Sequence, residues 1–237
     1  MKKISLLFLS SFLTVASFAQ VTIGLRASSV VCMDRVKDLN NADGYEFKNN
    51  SSGIRFAVGP TFDFAISDNY AFSTGAWYLS RRSGLSINSP SGVTNPATNP
   101  FSLYQGSVDQ KDIVSLQSVQ IPITFKVYTN EITTNVKLYF QLGALATINF
   151  YEKFKSQNSS LVGDYQNKYN AFDVSAYMAA GVNYQIGESN ALFAGLYYSR
   201  GLTNVLNSRT SNTTNEKFNK SAKYNMDLIG LEVGINF

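Results

Sequence analysis

The sequence predicts an all-β chain, an eight-stranded antiparallel transmembrane β-barrel with short periplasmic turns and long extracellular loops. First, apolar and polar residues alternate with period two along most of the chain, as side chains do on the two faces of a strand. Second, alternating segments such as residues 54–66 and 138–150 exceed the ~5–6 residues usual in soluble proteins and reach the ~9–11 residues of a membrane strand. Third, tight and long links alternate between the segments, as in outer-membrane barrels.

The composition limits which classes of protein, catalytic groups and metal sites the chain can represent. Of the 237 residues only 15% are charged, whereas soluble domains carry about 25% charged residues. The chain has no histidine and a single cysteine, Cys32, so it lacks the commonest general base and metal ligand and cannot form an internal disulfide. The net charge of +4 is not clustered, which indicates no nucleic-acid partner. We therefore expect no cofactor and no metal site.

The first nineteen residues are predicted to be a cleaved signal peptide. Lys2 and Lys3 precede an apolar stretch over residues 4–15, and Ala19 supplies the small residue before the cleavage point. The apolar stretch is too short to cross a bilayer core of about 30 Å. The sequence thus predicts a signal peptide over 1–19, a barrel domain over 20–237 and export to the cell outer membrane.

Eight alternating segments make up the predicted barrel. In residues 54–66 the apolar row begins with Ile54 and Phe56, and the opposite row includes Arg55 and Asp63. Residues 70–82 and 191–200 are rich in aromatic side chains, so the alternation does not assign which of their two faces is apolar. In chain order the predicted strands are 21–27, 54–66, 70–82, 119–127, 138–150, 172–186, 191–200 and 228–237.

The links between the predicted strands place both chain ends at one end of the barrel. The tight links are 67–69, 129–135 and 187–190, and the long ones are 33–53, 83–115, 151–171 and 202–223. Strict alternation means that all tight turns share one end, which is the periplasmic end in outer-membrane barrels.

The two faces of the strands have different chemistry, and this decides which face meets lipid. A soluble barrel around a ligand cavity would show the same alternation with the faces reversed. Here the apolar rows carry almost no charge, whereas the other rows mix small residues with single charges, as a narrow lumen requires. We predict a polar lumen network that comprises Arg26, Arg55, Asp63, Lys126, Gln141, Asp173, Tyr177, Asn183 and Glu232. Such a network would fill a small barrel; the alternative is a narrow conduit or a small ligand pocket.

Short motifs carry a resemblance to a known family. Residues 118–126 read SVQIPITFK, residues 197–205 read YYSRGLTNV, and Asp173 precedes Gly181 on the sixth predicted strand. With these motifs the chain resembles the PorT-like outer-membrane β-barrel family over nearly the whole mature length. The resemblance implies an eight-stranded barrel in the outer membrane and, from the family's named member, a part in protein secretion across that membrane.

These observations predict a non-enzymatic protein with a structural or interaction role. The resemblance to the PorT-like family implies that it is a component of a protein-secretion or surface-assembly complex. No nucleophile with an adjacent base is visible in the sequence. The alternative is a small, narrow outer-membrane channel.

The predicted partners are outer-membrane lipid and lipopolysaccharide, and proteins that contact the extracellular loops or the periplasmic turns. Loops on a rigid scaffold are where binding residues concentrate. The predicted loop 83–115 holds three of the five prolines. These prolines and the cations of the third and fourth loops are Pro90, Pro96, Pro100, Lys153, Lys155, Lys168, Arg209, Lys217, Lys220 and Lys223.

Overall fold

A computed structural model describes residues 21–38, 46–49, 53–88, 109–156, 170–187, 190–205 and 222–237. The predicted signal peptide lies outside these residues. The described residues form twelve strands and no helix, so no helix among them could span a membrane. The strands are β1 (Val21–Cys32), β2 (Arg35–Asp38), β3 (Glu46–Asn49), β4 (Ile54–Ser67), β5 (Tyr70–Gly75), β6 (Trp77–Asn88), β7 (Asp109–Tyr128), β8 (Val136–Ser156), β9 (Phe172–Gln185), β10 (Ala191–Gly201), β11 (Ala222–Asn225) and β12 (Leu228–Asn236).

The main sheet closes into an eight-stranded barrel, which confirms the predicted fold class. Strand β1 pairs with β4 on one side and with β12 on the other, so the first and last strands of the barrel meet. From β12 the order continues through β10, β9, β8 and β7 to β5 and β6. These last two lie end to end and together occupy one strand position beside β4. All neighbouring pairs are antiparallel, as hairpin connections require.

One strand that the sequence predicts to be continuous is divided into two in the structure. Residues 70–82 were predicted as one strand, but Ala76 interrupts it between β5 and β6. The backbone N–H of Ala76 donates to the carbonyl of Pro60 at 3.2 Å. A Cβ atom at Gly59 would lie 2.1 Å from the carbonyl oxygen of Ala76. The absence of a side chain at Gly59 therefore lets β4 lie close to the backbone of Ala76 at the interruption.

The barrel has two unlike ends. The tight turn at 68–69, the short segment 129–135 and the described residues 186, 187 and 190 lie at one end, here called the turn end, together with the start of β1 and the end of β12. Asn135 in the second of these has a φ of 64°, a left-handed conformation that asparagine tolerates. The opposite end is called the loop end.

Several strands extend beyond the predicted segments at the loop end. Strand β7 begins at Asp109 rather than at residue 119, and β8 continues to Ser156. Strands β2 and β11 pair as a two-stranded ribbon, and β3 adds to the end of β6. The prediction missed these extensions because strands outside a membrane need backbone pairing but no uninterrupted apolar row.

The two faces of the wall match the predicted alternation. Outward residues are apolar and exposed, including Ile23, Leu25, Phe125, Leu142, Leu196, Leu231 and Val233. Inward residues are buried and largely polar or aromatic, including Arg26, Asp63, Lys126, Gln141, Tyr177 and Glu232. An apolar exterior around a polar interior is the arrangement that lipid contact requires.

Candidate functional site in the barrel interior

A single carboxylate organises the centre of the lumen. Glu232 on β12 accepts a hydrogen bond from Nε of Arg26 on β1 at 2.6 Å. It also accepts from the hydroxyl of Tyr139 on β8 at 2.7 Å and from that of Tyr177 on β9 at 3.1 Å. All four side chains are almost fully buried. The charge and lone pairs of Glu232 are therefore satisfied without water, as a buried carboxylate requires.

The guanidinium of Arg26 lies between two aromatic rings. Its Cζ atom is 4.0 Å from the centre of the Trp77 ring and 4.6 Å from that of Tyr197. Ring faces attract a cation, more strongly where water is excluded. We call the set Arg26, Trp77, Tyr139, Tyr177, Tyr197 and Glu232 the Glu232 cluster. It crosses the lumen from one wall to the other.

A second ion pair lies beside the Glu232 cluster. Nζ of Lys126 on β7 is 2.6 Å from Oδ2 of Asp63 on β4, and the hydroxyl of Ser73 donates to Oδ1 at 2.5 Å. The Lys126 ammonium is also 5.8 Å from the ring centre of Tyr139. We call Asp63, Ser73 and Lys126 the Asp63 cluster. Because Tyr139 contacts both clusters, the two form one continuous polar layer.

A third group of polar side chains fills the lumen toward the loop end. Asp173 at the start of β9 accepts from the hydroxyl of Thr203, and Nη1 of Arg81 lies 3.9 Å from its other carboxylate oxygen. Nη2 of Arg81 donates to Asn149 at 2.9 Å. The hydroxyl of Ser118 donates to the same amide oxygen at 2.6 Å. Arg81 and Asp173 are both almost fully buried, so the interior stays closed at this level.

The structure places most of the predicted lumen residues in these groups. Arg26, Tyr177 and Glu232 meet in one cluster, and Asp63 and Lys126 meet in the other.

The remaining predicted residues have separate surroundings. Gln141 donates to the hydroxyl of Thr124 at 2.6 Å, and Asn183 is buried at the lumen wall. Asp173 joins the third group. Arg55 is only partly buried and lies near the loop end, where it is paired with Val30 of β1.

Several side chains of these groups were not predicted, among them Ser73, Trp77, Arg81, Tyr139 and Tyr197. Tyr139 lies two positions before Gln141, so the alternation itself places it on the inner face. Trp77 and Arg81 belong to the aromatic-rich segment 70–82, whose inner and outer faces the sequence pattern did not assign. Their burial, together with that of Leu79, shows that the odd-numbered residues from Trp77 to Arg81 point inward.

The space left between these side chains is very small. A cavity bordered by both clusters has a volume of about 10 Å³, which is about the minimum that a single water molecule needs. Within the described residues no group of three acidic or cysteine side chains is placed to hold a metal ion. The geometry of the interior is that of a packed polar plug.

A separate ion pair lies on the rim at the loop end. Asp227, just before β12, accepts from Nε and Nη2 of Arg35 at 2.6 and 3.1 Å. It also accepts from the Tyr198 hydroxyl at 3.1 Å and from the Gly201 N–H at 3.0 Å. The hydrogen bond with Asp227 raises the pKa of Arg35, which lies in the ribbon outside the spanning strands. Arg35 is therefore anchored by its hydrogen bonds to Asp227 and stays charged.

The predicted loop cations are only partly within the described residues. Lys153 and Lys155 lie in β8 and Lys223 lies in β11, so these three are strand residues and not loop residues. The extended pairing of the strands at the loop end explains this correction. Pro90, Pro96, Pro100, Lys168, Arg209, Lys217 and Lys220 lie outside the described residues.

Comparison with protein families identifies the barrel. The profile of the outer membrane protein beta-barrel domain matches residues 18–207. The chain belongs to this family. The outer-membrane location predicted from the sequence agrees with this membership, and the PorT-like subgroup and the signal peptide stay predictions. A search of curated proteins finds no significant match.

Several solved outer-membrane proteins are similar in structure. OprG from Pseudomonas aeruginosa aligns with a TM-score of 0.48 at 16% identity, over 92% of this chain and 96% of its own. Neisserial surface protein A aligns with a TM-score of 0.43 at 12% identity, over 92% and 97%. Ail of Yersinia pestis, solved with the heparin analogue sucrose octasulfate, aligns with a TM-score of 0.36 at 12% identity, over 92% and 99%.

Proposed function

We propose that this protein is a non-enzymatic, closed outer-membrane scaffold whose role is structural or interactive, as a component of a secretion or surface-assembly complex. The observation that carries the proposal is the plugged lumen. The carboxylates of Glu232, Asp63 and Asp173 all have cationic or hydroxyl partners inside the barrel. A carboxylate that is already paired and buried is a poor candidate for a general base toward a substrate.

The packing of the lumen favours the scaffold over the alternative of a narrow channel. An ion that crossed the barrel would have to pass the Glu232 cluster, where the free volume is about 10 Å³. Opening a path would separate Arg26 from Glu232 in a setting without water, which is costly for both charges. Eight-stranded barrels have interiors just wide enough for side chains to fill.

The loop end supports the interaction role. Strands β7 and β8 are 20 and 21 residues long, whereas a membrane strand needs about 9–11 residues. Close to half of this hairpin therefore projects beyond the bilayer. A rigid projection is suited to present a binding surface. The resemblance to the PorT-like family makes a secretion or surface-assembly complex the class of partner that we propose.

Planar-bilayer recording tests the closed scaffold. We expect the refolded full chain to insert without steady ion conductance. A variant with Arg26→Ala and Glu232→Ala, which removes the central pair, serves as the control for detecting an opened lumen. Steady conductance steps from the wild-type protein would contradict the scaffold and favour the channel.

Affinity isolation from intact outer membranes tests the interaction role. We expect a stoichiometric protein partner after mild detergent extraction, and we expect this partner to be lost when residues 89–99 are replaced by a Gly/Ser linker of equal length. The matched control places the same type of linker over residues 187–190, between β9 and β10. Retention of the barrel is checked by heat-dependent gel mobility. If no stoichiometric partner is recovered with the wild-type chain, the interaction role is wrong.

A further inference from the structure

A groove on the outer wall lies near the loop end, outside the interior site. Its volume is about 490 Å³, and Ala176, Met178, Tyr198, Arg200, Leu202 and Arg35 contribute to its lining. Met178 on β9 and Leu202 after β10 are each more than half exposed. The groove therefore combines an apolar floor with two cations on the lipid-facing side of the barrel.

The register of the two strands explains why the groove is there. Arg200 on β10 is paired with Ala176 on β9, and Tyr198 is paired with Met178. The small side chain of Ala176 leaves a hollow beside the long one of Arg200. Further along β10 the outward row is apolar, with Leu192 and Leu196 exposed, so Arg200 marks the point where the lipid-facing row ends in a positive charge.

The second cation is oriented in advance. Nε and Nη2 of Arg35 are held by Asp227, and Nη2 also donates to the carbonyl of Gly201 at 2.9 Å. Nη1 makes no hydrogen bond to another described residue. Arg35 therefore reaches the groove in a fixed orientation with donors to spare, which lowers the entropy lost on binding an anion.

The sum of the charges selects the chemistry of a ligand. The two arginines and Asp227 leave one net positive charge at the groove. At this level of the barrel, the outward face passes from apolar residues to cations, as at the boundary between acyl chains and headgroups. A ligand that satisfies the whole groove must carry both an anionic oxygen group and an apolar chain.

We propose that this groove binds a phosphorylated glycolipid of the outer leaflet, with a phosphate between Arg35 and Arg200 and an acyl chain along Met178 and Leu202. Arginine is suited to the phosphate because its planar donors match two phosphate oxygens. Anionic lipids attract basic residues near a membrane surface. The proposal depends on the outer-membrane location and is independent of whether the barrel acts as a scaffold or a channel.

Native mass spectrometry of the full chain in detergent micelles tests the site. The probe is bisphosphorylated lipid A, compared with the same lipid after enzymatic removal of both phosphates and with inorganic phosphate alone. We expect saturable binding of the phosphorylated lipid, about tenfold weaker binding of the dephosphorylated lipid and no competition by inorganic phosphate at equal concentration. A tenfold change corresponds to about 1.4 kcal/mol.

Three variants locate the binding to the groove. Arg200→Gln removes an exposed charge and is expected to weaken lipid A binding about tenfold. Arg35→Lys keeps the charge but loses the planar donors, and we expect it to weaken binding while the barrel stays folded. The matched control is Arg55→Gln, which removes a cation on the inner side of β4 at the same end and should leave binding unchanged. Equal loss with Arg55→Gln, unchanged binding with Arg200→Gln, or equal affinity for the dephosphorylated lipid would each overturn the proposal.

Discussion

Two arginine–carboxylate pairs in this barrel have the same short contact and different surroundings. The Nε atom of the arginine lies 2.6 Å from a carboxylate oxygen both in Arg26–Glu232 and in Arg35–Asp227. In the lumen pair the side chains are 3% and 2% exposed, whereas Arg35 at the rim is 33% exposed and Asp227 is 4% exposed. Geometry alone therefore does not distinguish a plug from a surface site; access to solvent does.

The difference teaches what each pair contributes. If the lumen pair is broken, the remaining charge has no water to replace its partner, so the cost falls on folding. If the rim pair is broken, water reaches the arginine, and the cost is that of the hydrogen bonds on one carboxylate. The lumen pair thus closes and stabilises the barrel, and the rim pair orients a cation toward the outside.

The largest effect is expected from removing the lumen carboxylate. Glu232→Ala leaves Arg26 buried without its counter-ion and removes the acceptor of Tyr139 and Tyr177. We expect the free energy of unfolding to fall by about 3–5 kcal/mol, as for other broken buried pairs. Urea titration of the refolded chain, followed by gel mobility of unheated samples, measures it. Glu232→Gln, which keeps the size and an acceptor, should cost less. A loss below about 1 kcal/mol for Glu232→Ala would place the pair among surface salt bridges.

A slightly smaller effect is expected at the second ion pair. Lys126→Met leaves Asp63 without its cation, but the hydroxyl of Ser73 still donates to the carboxylate. We expect a loss of about 2–4 kcal/mol in the same titration. Combining it with Asp63→Asn should recover part of this loss, because the unpaired charge is then absent. An additive loss in the double variant would show that the pair does not act as a unit.

The rim pair should be less sensitive. Asp227→Asn keeps the shape and one oxygen acceptor for its partners Arg35, Tyr198 and Gly201. We expect a loss of about 1–2 kcal/mol, since water can reach Arg35. A loss as large as that of Glu232→Ala would remove the distinction between the two pairs.

The smallest effect is expected from the exposed cation beside the rim pair. Arg200→Gln should change the free energy of unfolding by no more than about 0.5 kcal/mol, as is usual for a surface substitution. Its effect is expected in lipid A binding and not in stability. Urea titration of this variant next to Arg55→Gln provides the matched comparison, and a marked loss with Arg200→Gln alone would assign it a structural role.

The sequence by itself determined the number of barrel strands and most of their inner faces. These properties follow from a period-two pattern, which is local: Arg26, Asp63, Lys126, Gln141, Asp173, Tyr177 and Glu232 could each be assigned to the inner face from its neighbours alone. Where the local pattern was ambiguous, as in residues 70–82, the inner residues Trp77 and Arg81 were missed, and the interruption at Ala76 was missed with them.

Only the tertiary structure decided which inner residues meet. Arg26 and Glu232 are 206 positions apart, and they are neighbours because closure of the barrel brings β1 beside β12. Tyr139 joins the Glu232 cluster to the Asp63 cluster from the opposite wall. The groove depends on the pairing of Arg200 with Ala176, a property of strand register. Partner choice across a closed sheet depends on register and curvature, and neither is encoded in the alternation along a single strand.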